Sequence, residues 1–223
     1  MAWRKKFEYL HKVGKDCEGN WSVTAMSDKS PRTYIRRIVT GHDERGRSIV
    51  TEDQLAPSVH TNPKRVGYHL TQLWMTDQTP AFVGNEPDPT SRPLKLEPPK
   101  NGSVVRIIEF GPEGDWLNKI DAQDTKLAWS ALGTHTASTN QTGKAKHPFM
   151  HRTQSVDYAL ILEGEITLLL DNEEVLMKTG DFLVERGTNH AWANRSGALC
   201  RILFVLIDGQ FDPEISNHFV SFN

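Results

Sequence analysis

Six short apolar runs follow one another between residues 158 and 207, too closely spaced for helices to intervene. They are Tyr158–Leu162, Ile166–Leu170, Glu174–Met177, Phe182–Glu185, His190–Ala193 and Leu199–Ile207. Gly164, Asp171-Asn172, Gly180, Gly187 and Gly197 stand between them, residues that close tight turns at little conformational cost. Strands this short, with turn signals this regular, predict an antiparallel sandwich or jelly roll.

The upstream half carries fewer strand signals. Thr33 to Val50 reads as two β-rich runs around a turn cluster bordered by Gly41 and Gly46, and residues 67–76 (GYHLTQLWMT) read as a further strand. Pro87, Pro89, Pro93, Pro98 and Pro99 exclude most of residues 84–102 from a helix interior or a central strand, so that stretch is a surface loop. Ser103–Phe110 is the next strand; Leu117, Ile120, Leu127 and Leu132 then mark one or two short helical pieces, with Gly133 as their stop. Residues 1–30 are polar, with a helical turn expected around Trp3 to Leu10, and form an extension. Residues 31–223 form a single domain with its core barrel at about residues 100–208. The expected class is all-β: a barrel with extra N-terminal strands and one or two short helices.

Charge and composition exclude several partners. With 26 basic against 28 acidic residues and no unopposed basic segment, nucleic acid is not expected. No apolar run approaches the roughly 20 residues that span a bilayer, and the first residues lack the apolar core of a signal peptide, so a cytoplasmic protein without membrane contact is expected. Cys17 and Cys200 do not make a disulfide framework.

The chemistry concentrates in residues 150–194. Alternation along a strand sets Asp157 on one face with Ala159 and Ile161, and His190 on one face with Trp192 and Asn194. A carboxylate turned into a barrel needs a partner. His151 and His190 are the candidates to share a cation with Asp157, and the alternative is a hydrogen-bonded polar cluster. Arg106, in an otherwise apolar strand, is the candidate for an anionic or carbonyl oxygen, or else forms a structural ion pair. Thr153 and Gln154 are candidates for contact with substrate, Trp192 for an apolar wall, and Trp74 with His69 for the lining of the opening. His147, four residues before His151, belongs to the loop at the barrel mouth or serves as a further ligand or proton carrier.

These segments resemble the cupin superfamily over about residues 100–208. Gly180, Gly187, His190 and Asn194 match the second cupin motif, with Glu185 where the motif has proline. In the first motif Asp157 takes the place of the usual Glu, Gly164 matches, His151 matches the first histidine, and Thr153 stands where the second histidine belongs. The stretch from Arg36 to Asn194 further resembles a subgroup of small type-2 cupins of bacteria and fungi that sit in secondary-metabolite pathways, some described as cupin-domain oxidoreductases. The resemblance implies a cupin jelly-roll barrel whose metal ligands are His151, Asp157 and His190. Two histidines and a carboxylate are the ligand types of the facial triad that holds Fe(II) with positions open for substrate and O₂; Zn²⁺, Mn²⁺ or no metal are the other possibilities.

The resemblance implies a metal-dependent oxidoreductase acting on an aromatic or terpenoid intermediate. Two alternatives stand beside it. One is a lyase, dehydratase, isomerase or decarboxylase in which Asp157 or a histidine moves a proton. The other is a non-catalytic small-molecule-binding barrel. Exposed edges on the strands from Thr33 to Val50 point to a homodimer.

Overall fold

A computed structural model describes residues 13–15, 21–23, 34–134, 137–140 and 145–219. The helical turn expected around Trp3 to Leu10 lies outside them. The chain divides into two units, Met1–Arg32 and Thr33–Asn223. In the first, strand β1 (Val13–Lys15) pairs antiparallel with β2 (Trp21–Val23).

The second unit is built from antiparallel strands. β3 (Arg36–His42) and β4 (Ser48–Leu55) form a hairpin sheet of their own. The remaining strands are β5 (Ser58–Thr61), β6 (His69–Thr76), β7 (Ser103–Phe110), β8 (Ser155–Glu163), β9 (Glu165–Leu170), β10 (Glu174–Lys178), β11 (Phe182–Arg186), β12 (His190–Ala193) and β13 (Cys200–Asp208). They make a six-stranded sheet in the order β11-β8-β13-β7-β6-β5 and a three-stranded sheet in the order β10-β9-β12. Every strand expected between residues 158 and 207 is present. The fold is an arrangement of the jelly-roll kind, mostly β, with helices α1 (Ala122–Ala131) and α2 (Pro213–Phe219).

Alternation places the core. On β13 the side chains of Cys200, Ile202, Phe204 and Leu206 turn inward, and on β8 those of Ala159 and Ile161 do so. They meet Ile166 and Leu168 of β9, Met177 of β10 and Trp192 of β12, so one continuous cluster joins both sheets. Burial pushes the Cys200 thiol up to about 12, as expected of a cysteine that serves as core filler.

Glycine matters at two of the turns. Gly164, at φ 77°, links β8 to β9, and a side chain there would collide with the Leu199 carbonyl. Gly187, at φ 62°, opens the turn into β12, where a Cβ would press on the Phe211 ring and stand 3.0 Å from the Thr153 carbonyl.

Three elements were not anticipated in this unit: a one-turn 3-10 helix (Pro89–Ser91) inside the proline-rich loop, β5 and α2. β5 has four residues between Pro57 and Pro63, too few to display a period, and exists by pairing with β6. α2 begins at Pro213, with the Asp212 carboxylate accepting the Glu214 N–H at 2.8 Å as its cap. Among the described residues no helix is long and apolar enough to cross a membrane.

The β3–β4 hairpin is anchored through Arg37, whose guanidinium joins Glu52 across the hairpin, Asp88 in the proline-rich loop and the Leu73 carbonyl. Its outer surface carries exposed apolar side chains, Ile38, Val50 and Leu55, with Tyr34 just before it, around the Arg36–Asp53 ion pair. A second copy of the chain would cover both this surface and the free strand edges. Light scattering at micromolar concentration should report a homodimer; a monomer would rule this covering out.

Candidate active site

The two histidines are brought together by the backbone. His151 N–H donates to the His190 carbonyl and His190 N–H to the His151 carbonyl, both at 2.9 Å, so a single antiparallel bridge fastens the segment before β8 to the start of β12. The rings lie 4.2 Å apart between centroids, tilted by 49°. Each Nδ1 faces a carbonyl two residues earlier: His151 at 3.0 Å from Phe149 O, His190 at 2.9 Å from Thr188 O. A carbonyl only accepts, so each Nδ1 carries a proton, and in the neutral ring the lone pair falls on Nε2. Burial, followed by the charges of His190 and Arg65, holds His151 well below its usual 6.5.

Both rings line a cavity of about 590 Å³. Its walls are apolar: Leu70, Phe110, Phe149, Trp129, Trp192 and Phe204. Helix α1 delivers Trp129 to within 4.7 Å of the His151 ring, centroid to centroid. That helix starts on a capping box made by Asp121 and Asp124, and Asp124 also pairs with Lys64 at 2.7 Å, tying the helix to the loop before β6.

Asp157 and Arg106 line the same cavity from β8 and β7. Burial pushes the Asp157 carboxyl up to about 6; the Ser155 side chain opposes the shift, Glu185 adds to it, and His190 and Arg106 pull it back. Its Oδ1 has no hydrogen-bond partner. Arg106, 1% exposed, donates through Nη2 to the Lys95 and Leu96 carbonyls, both at 3.1 Å, while its Nε and Nη1 have no acceptor.

Not every expected site residue reaches the cavity. Thr153 is buried behind it and accepts a hydrogen bond from the Ser155 hydroxyl at 3.0 Å. Gln154 is exposed at the surface, and Trp74 lines a separate, smaller pocket with Phe82 and Arg92. His69 faces Glu109 at 3.3 Å. His147 has both nitrogens engaged: Nδ1 accepts the Phe149 N–H and Nε2 donates to Glu113, each at 3.1 Å, which leaves no free nitrogen for a metal.

Several cavity residues carried no periodic signal in the sequence. Arg65 comes from the loop before β6 and His60 from the unanticipated β5, while Tyr68, inside the stretch read as a strand, sits just ahead of β6. Glu185, visible only as a departure from the second motif, is buried and accepts both the Thr188 N–H and, at 2.6 Å, its hydroxyl. It therefore shapes the turn whose Thr188 carbonyl orients His190. Asn194, the last residue of that motif, donates to the Phe110 and Ala198 carbonyls and closes the turn after β12.

The two imidazoles fit a metal, because Nδ1 is tied to a carbonyl and Nε2 is free, the usual arrangement of metal-bound histidines. The full set of His151, Asp157 and His190 does not close: among the described residues no three His, Cys, Asp or Glu side chains are gathered closely enough to hold an ion. Asp157 is one methylene shorter than the glutamate that the cupin motif has at this place.

Because the fold binds the Asp157 proton more tightly than the unfolded chain, stability should fall as pH rises from 3.8 to about 6 and level off above that. Asp157→Asn should abolish this decline and, above the transition, stabilise chelator-treated protein by roughly 2–3 kcal/mol in urea unfolding. A variant that keeps the wild-type pH dependence would refute the assignment.

Comparison with known proteins places these features in company. The profile of the cupin domain matches residues 139–206. Oryzines biosynthesis cluster protein J of Aspergillus oryzae is 43% identical over 190 residues, 82% of this chain and 87% of that protein. Phomopsin biosynthesis cluster protein C' of Diaporthe leptostromiformis is 32% identical over 184 residues, 78% of each chain. Cupin-domain-containing oxidoreductase fogC of Aspergillus ruber is 30% identical over 197 residues, 83% of this chain and 80% of that protein.

Proposed function

This chain belongs to the cupin family, in the group it shares with those biosynthesis-cluster proteins, and on that premise we propose that it is a small-molecule oxidoreductase of secondary metabolism. Its substrate is a largely apolar intermediate that carries oxygen. The observation that carries the reading is the pair of imidazoles, Nδ1 tied back and Nε2 free, set in the wall of an apolar cavity of about 590 Å³. The name of the Aspergillus ruber relative supports the redox class.

The side chains divide the work. Trp129, Phe149 and Trp192 seat the hydrocarbon body and keep water out. Arg106 orients an oxygen of the substrate through its unpartnered N–H groups. Asp157, with a carboxyl near 6, holds or releases a proton at Oδ1 around neutrality. A divalent metal, Fe(II) in the first place, is the cofactor this reading calls for; His151 and His190 would hold it, and it would supply Lewis acidity or O₂ activation.

One observation favours a second reading. Asp157 is a buried carboxyl with an unpartnered oxygen and a raised pKa, the equipment of a general acid or base in an isomerase, dehydratase or decarboxylase.

Deleting the coding sequence in its host should cause an intermediate to accumulate, detectable by mass spectrometry of extracts. Given that intermediate, the purified protein should consume it with O₂ uptake, and both should fall to background after chelation or in His190→Ala. Turnover at full rate by chelated protein under strict anaerobiosis would sink the oxidoreductase reading and leave proton transfer.

A further inference from the structure

The cavity is short of acceptors. Among the described residues the only other carboxylate that lines it, besides Asp157, is Asp124, already paired with Lys64 at 2.7 Å. Against them stand two guanidinium groups, Arg65 and Arg106. Arg65 lies over the rings of Tyr68, Phe110 and Phe149 at 4.9, 5.0 and 4.6 Å and donates to the Trp192 carbonyl at 3.2 Å. Both groups act electrostatically on the buried Tyr68 phenol, so their fields overlap in one part of the cavity.

The unpartnered donors tell the same story. Arg106 Nε and Nη1 lack acceptors, as does Nε1 of Trp129, a residue 5% exposed that stacks beside His151. With two Nη2 hydrogens given to Lys95 and Leu96, the Arg106 guanidinium retains three N–H groups without a protein acceptor. Burial lowers Arg106 only to about 10, so it remains a cation at neutrality. A buried cation left in this state is costly, and an anion that enters the cavity offsets the cost.

We infer that the ligand of this cavity is an organic acid: a carboxylate on an aromatic or alicyclic body, with its oxygens on the Arg106 guanidinium and its rings against Trp129, Phe149 and Trp192. Arg65 adds positive charge and, flanked by three rings, an apolar-faced support for the body. This deepens the proposed function, because it rests on the cavity being the substrate site and names the class of substrate.

A matched pair of probes tests it. 2-Naphthoate and 2-naphthamide share one ring system and differ in charge, and titration calorimetry on the purified full chain compares them without turnover. Naphthoate should bind about tenfold or more tightly than the amide, the range expected for hydrogen bonds to a charged group. Arg106→Met should erase that preference by weakening naphthoate far more than the amide, and Arg65→Met should reduce it in part. Should Arg106→Met fail to fold, Arg106→Lys and the wild-type preference decide.

Equal affinities in wild type, no naphthoate binding at millimolar concentration, or a folded Arg106→Met that keeps the preference would each overturn the inference. Because no chemistry is read, the preference can stand when the redox reading fails, and can fail while O₂-dependent turnover stands.

Discussion

The reciprocal backbone bridge between His151 and His190 is the constraint on which the rest of the site depends. It joins a segment that precedes one sheet to the first residue of a strand in the other, so the imidazoles meet at the seam of the sandwich. The carbonyls of Phe149 and Thr188 then fix the tautomer of each ring. Two ordinary kinds of hydrogen bond thus turn two histidines into a pair of aimed lone pairs. Glu185, by holding Thr188 through two bonds, extends this support one layer further out.

Around that pair the cavity is unbalanced in a useful way. Its walls are ring faces and aliphatic side chains, yet Arg106, Trp129 and Asp157 keep polar atoms that the protein does not satisfy. Native interiors rarely leave such groups unpaired, and a ligand that enters the cavity can complete these three. The same low-dielectric surroundings push the Asp157 carboxyl up to about 6, within reach of proton transfer at neutral pH. Apolar walls and unsatisfied polar groups are therefore one device: the walls make the polar groups costly, and the ligand offsets that cost.

Much of the sheet structure was legible because strands with one buried face alternate. Asp157, Ala159 and Ile161 turn inward and Tyr158 and Leu162 outward, as their spacing requires, and Gly164 and Gly187 mark turns that need positive φ. The cavity was legible only in part. His151, Asp157, His190, Arg106 and Trp192 line it, but Trp129 arrives on a helix with no strand period, and Arg65 arrives on a loop. Loop positions are set by tertiary contacts such as the Lys64–Asp124 pair, which no local pattern encodes. Thr153 and Gln154 follow the histidine closely in sequence, but they lie in the irregular stretch between the His151 bridge and β8, where no strand period sets their direction: Thr153 is buried and Gln154 is on the surface. The α2 cap was a different case: Asp212-Pro213 is a recognisable helix start, overshadowed by the strand signals before it.

The account stands or falls on how the two imidazoles are protonated and aimed. Ring-nitrogen NMR of uniformly ¹⁵N-labelled, chelator-treated protein at pH 6.5 reads this directly, with His151→Gln and His190→Gln assigning the signals. At that pH an unperturbed histidine is half protonated. The structure requires His151 to be a neutral ring with its proton on Nδ1, since burial holds it well below 6.5. A His151 ring that is doubly protonated there, or neutral with its proton on Nε2, would contradict the account.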